Sequence, residues 1–263
     1  MGNLSHYFKL IILFGLVSGY SLQELKPDYK VKKISESRPN DLKQLYRFPI
    51  LTGGDSLISQ KVNSFLTQRL LDLEYGQQQK SIFENVWGKE GSPASLYYLD
   101  YELLILNNSL YSVKISAEGC AAYCEYFEEY YTFDLVTGNH LELTDLLNQK
   151  GQKLLINDMI NHKKVKMDEK IVEADSVLAI ENLSEADLEY YTGMKDIYVG
   201  CSLEYISLEY LNYFISKDSL KIIIERCAPH AWRSMDELGE IHFSIALTDL
   251  KNSMNEQGRK VFN

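Results

Sequence analysis

Apolar and polar residues alternate most regularly within residues 109–147, and the rest of the predicted fold is arranged around this stretch. Two runs have the period-two pattern of strands with one buried face. The first consists of Tyr111, Val113, Ile115 and Ala117, and the second of Tyr131, Phe133 and Leu135. Gly138 and Asn139 follow as turn residues, so the second strand is predicted to return as a hairpin.

The same two periodicities predict the remaining elements. Apolar residues at spacings of three and four predict a helix over 57–73 and another over 154–160, after a break at Gly151. Period-two runs predict strands at 45–51, 96–105, 211–215, 220–224 and 241–247. The connections are too short for parallel crossovers. We therefore predict an α+β fold, an antiparallel sheet with helices packed on one face.

Two N-terminal segments precede the predicted domain. In residues 1–21 an apolar run follows His6 and Lys9 and ends in small residues, which is the pattern of a signal peptide. The alternative is an N-terminal anchor or a buried helix, although the run is shorter than the about 20 residues that cross a bilayer. Residues 22–44 are predicted to be a flexible lead-in, and residues 45–263 a single domain. Export would place the protein in the periplasm or outside the cell, with membrane contact only through an uncleaved leader.

The amino-acid composition and net charge of the chain argue against some classes of function. The 263 residues are 45% hydrophobic and 24% charged, as in an ordinary globular protein. The formal net charge of -10 argues against a nucleic-acid partner, since phosphate binding requires clustered Lys and Arg. We predict neither a nucleic-acid partner nor a cofactor.

The chain has four cysteines, and an exported protein favours disulfides over free thiols. Three pairings are open. We favour Cys120 with Cys124 and Cys201 with Cys227, the second of which would restrict the unfolded chain by about 3 kcal/mol. A tetrathiolate zinc site is the alternative, although its usual two close-spaced pairs are not present.

Short motifs follow one another along residues 45–250. They are Phe48-Pro49-Ile50-Leu51, Tyr131-Thr132-Phe133-Asp134-Leu135, Thr137-Gly138, Leu143-Thr144-Asp145-Leu146-Leu147 and Ala228-Pro229-His230-Ala231. This succession resembles the extracytoplasmic domain shared by RsiV-type anti-sigma factors and PdaC-type peptidoglycan deacetylases. Where that family has a Gly-Ala-His-Pro loop, this chain has Gly119, Cys120 and Cys124, so a disulfide loop replaces a histidine-bearing one.

The resemblance implies a binding domain of the cell envelope. RsiV-type members sense lysozyme with this domain and hold a sigma factor with a cytoplasmic segment, whereas PdaC-type members carry a separate deacetylase domain. This chain has too few residues before its apolar run for such a segment, and it lacks the Asp-and-His metal motifs of the deacetylase. What the resemblance implies is therefore a binding module without a catalytic residue.

Tyrosines and glutamates cluster beside the first cysteine pair. Tyrosine gives contact area at low entropic cost, and carboxylates steer a basic partner. With a polar stretch near residue 230, they make up the predicted recognition surface: Tyr123, Tyr126, Glu128, Glu129, Tyr130, His230 and Trp232. The plainer alternative is a strand that is half core and half solvated edge.

We therefore expect an exported, non-enzymatic binding module of the cell envelope that recognises a wall polymer or a basic protein such as lysozyme. The alternative is an envelope glycan hydrolase that uses carboxylates of Glu125, Glu128 and Glu129.

Overall fold

The computed structural model of the protein describes residues 28–39, 41–87, 95–120, 124–202, 206–209, 211–228 and 230–262, without the side chains of residues 41–44, 202 and 230. The predicted signal peptide, the start of the predicted lead-in and Tyr123 lie outside these residues. Within them, helices cover two separate sheets that are mostly antiparallel. The prediction of an α+β fold is confirmed.

The first half of the described chain forms a five-stranded sheet in the order β1-β2-β3-β4-β5. Its strands are β1 (Tyr29–Arg38), β2 (Asp41–Gly53), β3 (Leu96–Leu106), β4 (Leu110–Cys120) and β5 (Cys124–Asp134). The turn between β3 and β4 forms because Asn107 Oδ1 accepts the N–H groups of Ser109 and Leu110, at 2.9 and 2.8 Å. The alternating residues predicted on β4 are all buried, so its register is set by the apolar pattern.

Two helices, α1 (Ser56–Leu71) and α2 (Glu84–Trp87), pack against this sheet. Asp55 caps α1, because its carboxylate accepts the Leu57 N–H at 2.8 Å. Val62 and Leu66 of α1 share a buried core with Phe133 of β5. Leu57 belongs to the predicted apolar stripe, yet it is 75% exposed.

The second half forms a three-stranded antiparallel sheet with its own core. Its strands are β6 (Asn212–Ser216), β7 (Ser219–Ile224) and β8 (Ile241–Ala246). Its helices are α3 (Leu143–Leu146), α4 (Gln149–Leu178), α5 (Glu185–Ser202), α6 (Leu247–Leu250) and α7 (Glu256–Val261), with 3-10 helices His230–Met235 and Lys251–Ser253. The tetrapeptide Leu-Thr-Asp-Leu occurs in both α3 and α6, and each copy forms a short helix.

The sheet arrangement differs from the prediction in two respects. The strands of the two halves form two sheets instead of one, so α1 and α4 pack in different cores. In addition, β2 and β3 are parallel, with Tyr46 opposite Leu99. A parallel pair is feasible there because the connection contains α1 and α2 and is long enough for a crossover.

Two predictions of local structure are also wrong. The described part of the predicted lead-in contains β1, which pairs with β2, and Tyr29 is buried with its hydroxyl donating to the Leu135 carbonyl at 3.2 Å. Gly151 does not break a helix, since α4 begins at Gln149 and continues through it. A Cβ atom at Gly151 would lie 2.3 Å from the Ser253 carbonyl oxygen, so the glycine permits a close approach of the C-terminal segment.

Both favoured disulfides are confirmed. Cys120–Cys124 closes the open end of the β4–β5 pair, and Cys201–Cys227 joins α5 to the residues after β7. All four sulfurs are therefore in disulfides, which contradicts the zinc alternative. Two disulfides indicate an oxidising, extracytoplasmic environment. In the described ranges, none of the helices has the length and apolar character that crossing a membrane requires.

Candidate functional site

Strand β5 carries most of the predicted recognition residues, and its alternation divides them between two faces. Tyr126, Glu128 and Tyr130 share one face. Glu125 and Glu129 lie on the opposite face, which further along β5 carries the buried Tyr131. The predicted surface is therefore divided between the two faces of the strand.

Glu128 is the centre of a polar network on the first of these faces. Its carboxylate accepts the hydroxyls of Tyr130 at 2.9 Å, Tyr126 at 3.0 Å and Ser116 at 3.3 Å. The Lys114 ammonium lies 3.4 Å away and also pairs with Glu102 at 3.1 Å. Partial burial alone would raise the pKa of Glu128, but the tyrosine hydrogen bonds and Lys114 outweigh it and lower the pKa. Glu128 is therefore held as an anion.

The two glutamates on the other face are paired with arginines. Arg233 of the 3-10 helix pairs with Glu125. Arg69 of α1 lies 3.9 Å from Glu129, which also accepts the hydroxyl of Tyr131. Burial, together with the Glu129 charge, raises the pKa of Tyr131, so that hydroxyl remains a donor.

Asn212, at the start of β6, joins the two sheets at β5. Its side-chain amide accepts the Tyr130 N–H and donates to the Glu128 carbonyl, each at 3.4 Å. The Tyr130 ring stacks on Phe214 of β6, with centroids 4.8 Å apart. The hydrogen bonds of Asn212 and the stacking of Tyr130 on Phe214 thus connect the second sheet to the edge of the first.

A cleft of about 810 Å³ opens beside this junction. Five consecutive residues of β5, from position 125 to position 129, form one wall, and Glu225, Arg226, Glu240 and His242 contribute to the other. Arg226 is 3.8 Å from the buried Asp236, so its charge is already compensated. Glutamates outnumber arginines by five to two in the lining, so the cleft is acidic.

Three exposed side chains in the cleft are available to a partner. Tyr126 is 56% exposed. Glu225 and Glu240 are exposed, and neither forms an ion pair with any residue in the described part of the chain. Such carboxylates attract a cationic group at little desolvation cost to the protein.

A second cavity, of about 440 Å³, adjoins the cleft and contains His140. The imidazole stacks on Phe65 with centroids 4.9 Å apart, and it also contacts Tyr131 and Phe133 edge to face. Burial lowers the pKa of His140 to about 4, since the nearby Asp145 only partly offsets it. The ring is therefore neutral at physiological pH and forms part of an aromatic cluster.

The remaining predicted site residues contribute less to this arrangement. Trp232 is 49% exposed in the 3-10 helix, and it is the adjacent Arg233 that lines the cleft. The side chain of His230 and the whole of Tyr123 lie outside the described residues. The sequence pattern did not reveal Asn212, Glu225 and Glu240, the first of which lies 82 residues beyond Tyr130 in the chain and the others further still. No local signal could have joined them to it.

No protein-family model and no curated protein matches the chain. Among solved structures it is similar to a crystal structure of a DUF3298 family member from Bacteroides fragilis, with a TM-score of 0.51 and 13% identity over 88% of this chain and 94% of that one. A DUF3298 family protein from Pseudomonas aeruginosa gives a TM-score of 0.47 and 10% identity, over 87% of this chain and 94% of that one. At such identities the similarity concerns the fold alone. The fold of this chain is that of a DUF3298-type domain.

Proposed function

We propose that the protein is an exported, non-enzymatic binding module of the cell envelope, periplasmic or secreted, whose partner occupies the acidic cleft beside β5. The observation that carries the proposal is the exposure of Glu225 and Glu240 in that cleft without an ion pair to any described residue. Unpaired carboxylates of this kind accelerate association with a basic protein. Tyr126 adds an exposed aromatic surface beside them.

The charge of the cleft favours a basic protein, such as a lysozyme, over a wall polymer, since the peptide stems of peptidoglycan carry carboxylates of their own. The resemblance of the sequence to RsiV-type anti-sigma factors, whose domain senses lysozyme, supports the same class of partner. The two disulfides support export.

The contacts of the β5 glutamates favour binding over glycan hydrolysis. A glycosidase needs one carboxyl group with a raised pKa, so that it can act as a general acid. The pKa of Glu128 is lowered instead, because Tyr130, Tyr126 and Lys114 stabilise its anion against the effect of burial. Glu125 and Glu129 form ion pairs with Arg233 and Arg69, so these carboxylates are already engaged within the protein.

The test is the kinetics of association with a basic lysozyme, measured by biolayer interferometry at about 50 and about 200 mM salt. The variant Glu225→Gln with Glu240→Gln should lower the association rate by about fivefold at the lower salt and reduce its salt dependence. The matched control is Glu181→Gln with Glu189→Gln, because these exposed glutamates carry the same charge and lie outside the cleft.

Two results would contradict a non-enzymatic binding module. One is the absence of binding both to basic lysozyme and to insoluble peptidoglycan at micromolar protein. The other is release of soluble muropeptides from peptidoglycan by the parent protein, which would establish the hydrolase. If the cleft variant and the control variant associate equally fast, the partner does not use this cleft.

A further inference from the structure

Among the described residues, the outer edge of β5 is hydrogen-bonded along only part of its length. In an antiparallel pair, the N–H and C=O groups of successive residues point alternately toward the partner strand and away from it. The Thr132 carbonyl accepts the Leu141 N–H at 2.8 Å, away from β4. The Asp134 N–H likewise donates to the Asn139 carbonyl at 3.0 Å. Even-numbered residues of β5 therefore direct their main-chain groups to the outer edge.

Asn212 continues this pairing toward the start of β5. Its amide takes the place of a peptide group of a neighbouring strand, since it bonds both the Glu128 carbonyl and the Tyr130 N–H. The next even-numbered residue is Tyr126. Its N–H and C=O, together with the Glu128 N–H, point into the cleft, and in the described ranges β5 has no strand partner other than β4.

We propose that an extended basic peptide segment of the partner adds to this open edge as a further strand, between β5 and the cleft wall that carries Glu225 and Glu240. The inference rests on the proposed function and specifies the form in which the partner is bound. Strand addition uses main-chain hydrogen bonds for affinity and alternate side chains for selectivity.

The dimensions of the cleft suit a short segment. Residues 124–128 of β5 extend over about 17 Å at roughly 3.3 Å per residue, which matches four or five residues of an added strand. The volume of about 810 Å³ lies within the range of clefts that bury a bound ligand. The Cys120–Cys124 disulfide links the far end of this edge covalently to β4.

The acidic side chains of the cleft determine which peptide sequences can bind to this edge. In an added strand alternate side chains point to one face, so lysine or arginine at every second position would meet Glu225 and Glu240. The other positions point to the opposite face, where they would contact Phe127, which favours β-branched residues there. An acidic segment of the same shape would be repelled.

The test uses an acetylated hexapeptide of alternating lysine and valine, with a glutamate and valine peptide as the matched control. Hydrogen exchange of the full-length protein is followed residue by residue by NMR. The basic peptide should slow exchange of the Tyr126 and Glu128 amides by about tenfold or more, because their N–H groups become hydrogen-bonded. The amides of Phe127 and Glu129 already face β4 and should not change.

A second measurement separates strand addition from docking by side chains alone. Methylating the peptide amides that face β5 should weaken binding by about tenfold, whereas methylating the alternate amides should leave it within about twofold. If both peptides bind equally, or if Tyr126 and Glu128 are not protected, strand addition is wrong. The proposed function then still stands if the Glu225→Gln and Glu240→Gln variant slows association with basic lysozyme. If basic lysozyme does not bind but the peptide protects Tyr126, the open edge is a peptide site and the proposed partner is wrong.

Discussion

Two helical glycines provide a direct test of how closely the C-terminal segment packs on α4. Gly151 lies in the first turn of α4, and Gly200 lies near the end of α5 on an exposed surface. A Cβ atom at Gly151 would meet the Ser253 carbonyl oxygen at 2.3 Å, whereas one at Gly200 would meet nothing within 4 Å. The same substitution by alanine should therefore have opposite effects at the two positions.

The magnitudes follow from these distances. At Gly151 the obstructing atom is a main-chain oxygen that accepts the Asn148 N–H at 2.9 Å, so it cannot move aside without weakening that hydrogen bond. Overpacking of this kind costs about 1–3 kcal/mol, which exceeds the helix propensity that alanine gains over glycine. At Gly200 the propensity gain is unopposed, and it should stabilise the protein by about 0.5–1 kcal/mol.

The assay is equilibrium unfolding in urea with the disulfides intact, with the slope compared between variants so that the midpoint reports stability. We expect Gly151→Ala to unfold at lower urea than the parent and Gly200→Ala at higher urea. A Gly151→Ala variant as stable as the parent would show that residue 253 does not approach α4 as described, and the reasoning would fail.

The disulfides and His140 offer two further measurements of stability. Replacing Cys201 and Cys227 by alanine should lower the free energy of unfolding by about 3 kcal/mol, because these cysteines are separated by 26 residues. Replacing Cys120 and Cys124, which are separated by 4, should lower it less and should chiefly weaken binding in the cleft. Equal losses of stability in urea unfolding would contradict this prediction. Folding lowers the pKa of His140 from 6.5 to about 4, so between these pH values the unfolded chain binds a proton that the folded protein does not. As the pH is lowered from about 6.5 to about 4, the free energy of unfolding should therefore decrease by up to about 3 kcal/mol. His140→Phe, which retains an aromatic ring against Phe65, should remove that part of the decline; an unchanged pH slope in thermal unfolding would refute the assignment.

Much of the candidate site could be predicted from the sequence, but its shape could not. The tyrosines and glutamates of β5 are contiguous in the sequence, so they are close together whatever the tertiary structure. The division of these tyrosines and glutamates between two faces follows from the strand period. The surroundings of the outer edge of β5 depend on which strand lies beside it. Asn212, Glu225 and Glu240 complete the cleft only because the second sheet packs there, and the order of strands is not encoded in local alternation.

The sequence by itself determined the elements whose signals are local. Alternation predicted β4 and β5, the apolar spacing predicted α1, and the export pattern together with four cysteines predicted disulfides. Only the tertiary structure decided that β2 and β3 are parallel, that the strands form two sheets and that Gly151 serves a close approach instead of a helix break. The periodicity of a segment shows which of its sides is buried, but not which distant segment packs against that side. Those partners are determined by the packing of the entire fold, because each long-range contact must offset the entropy lost when its loop closes.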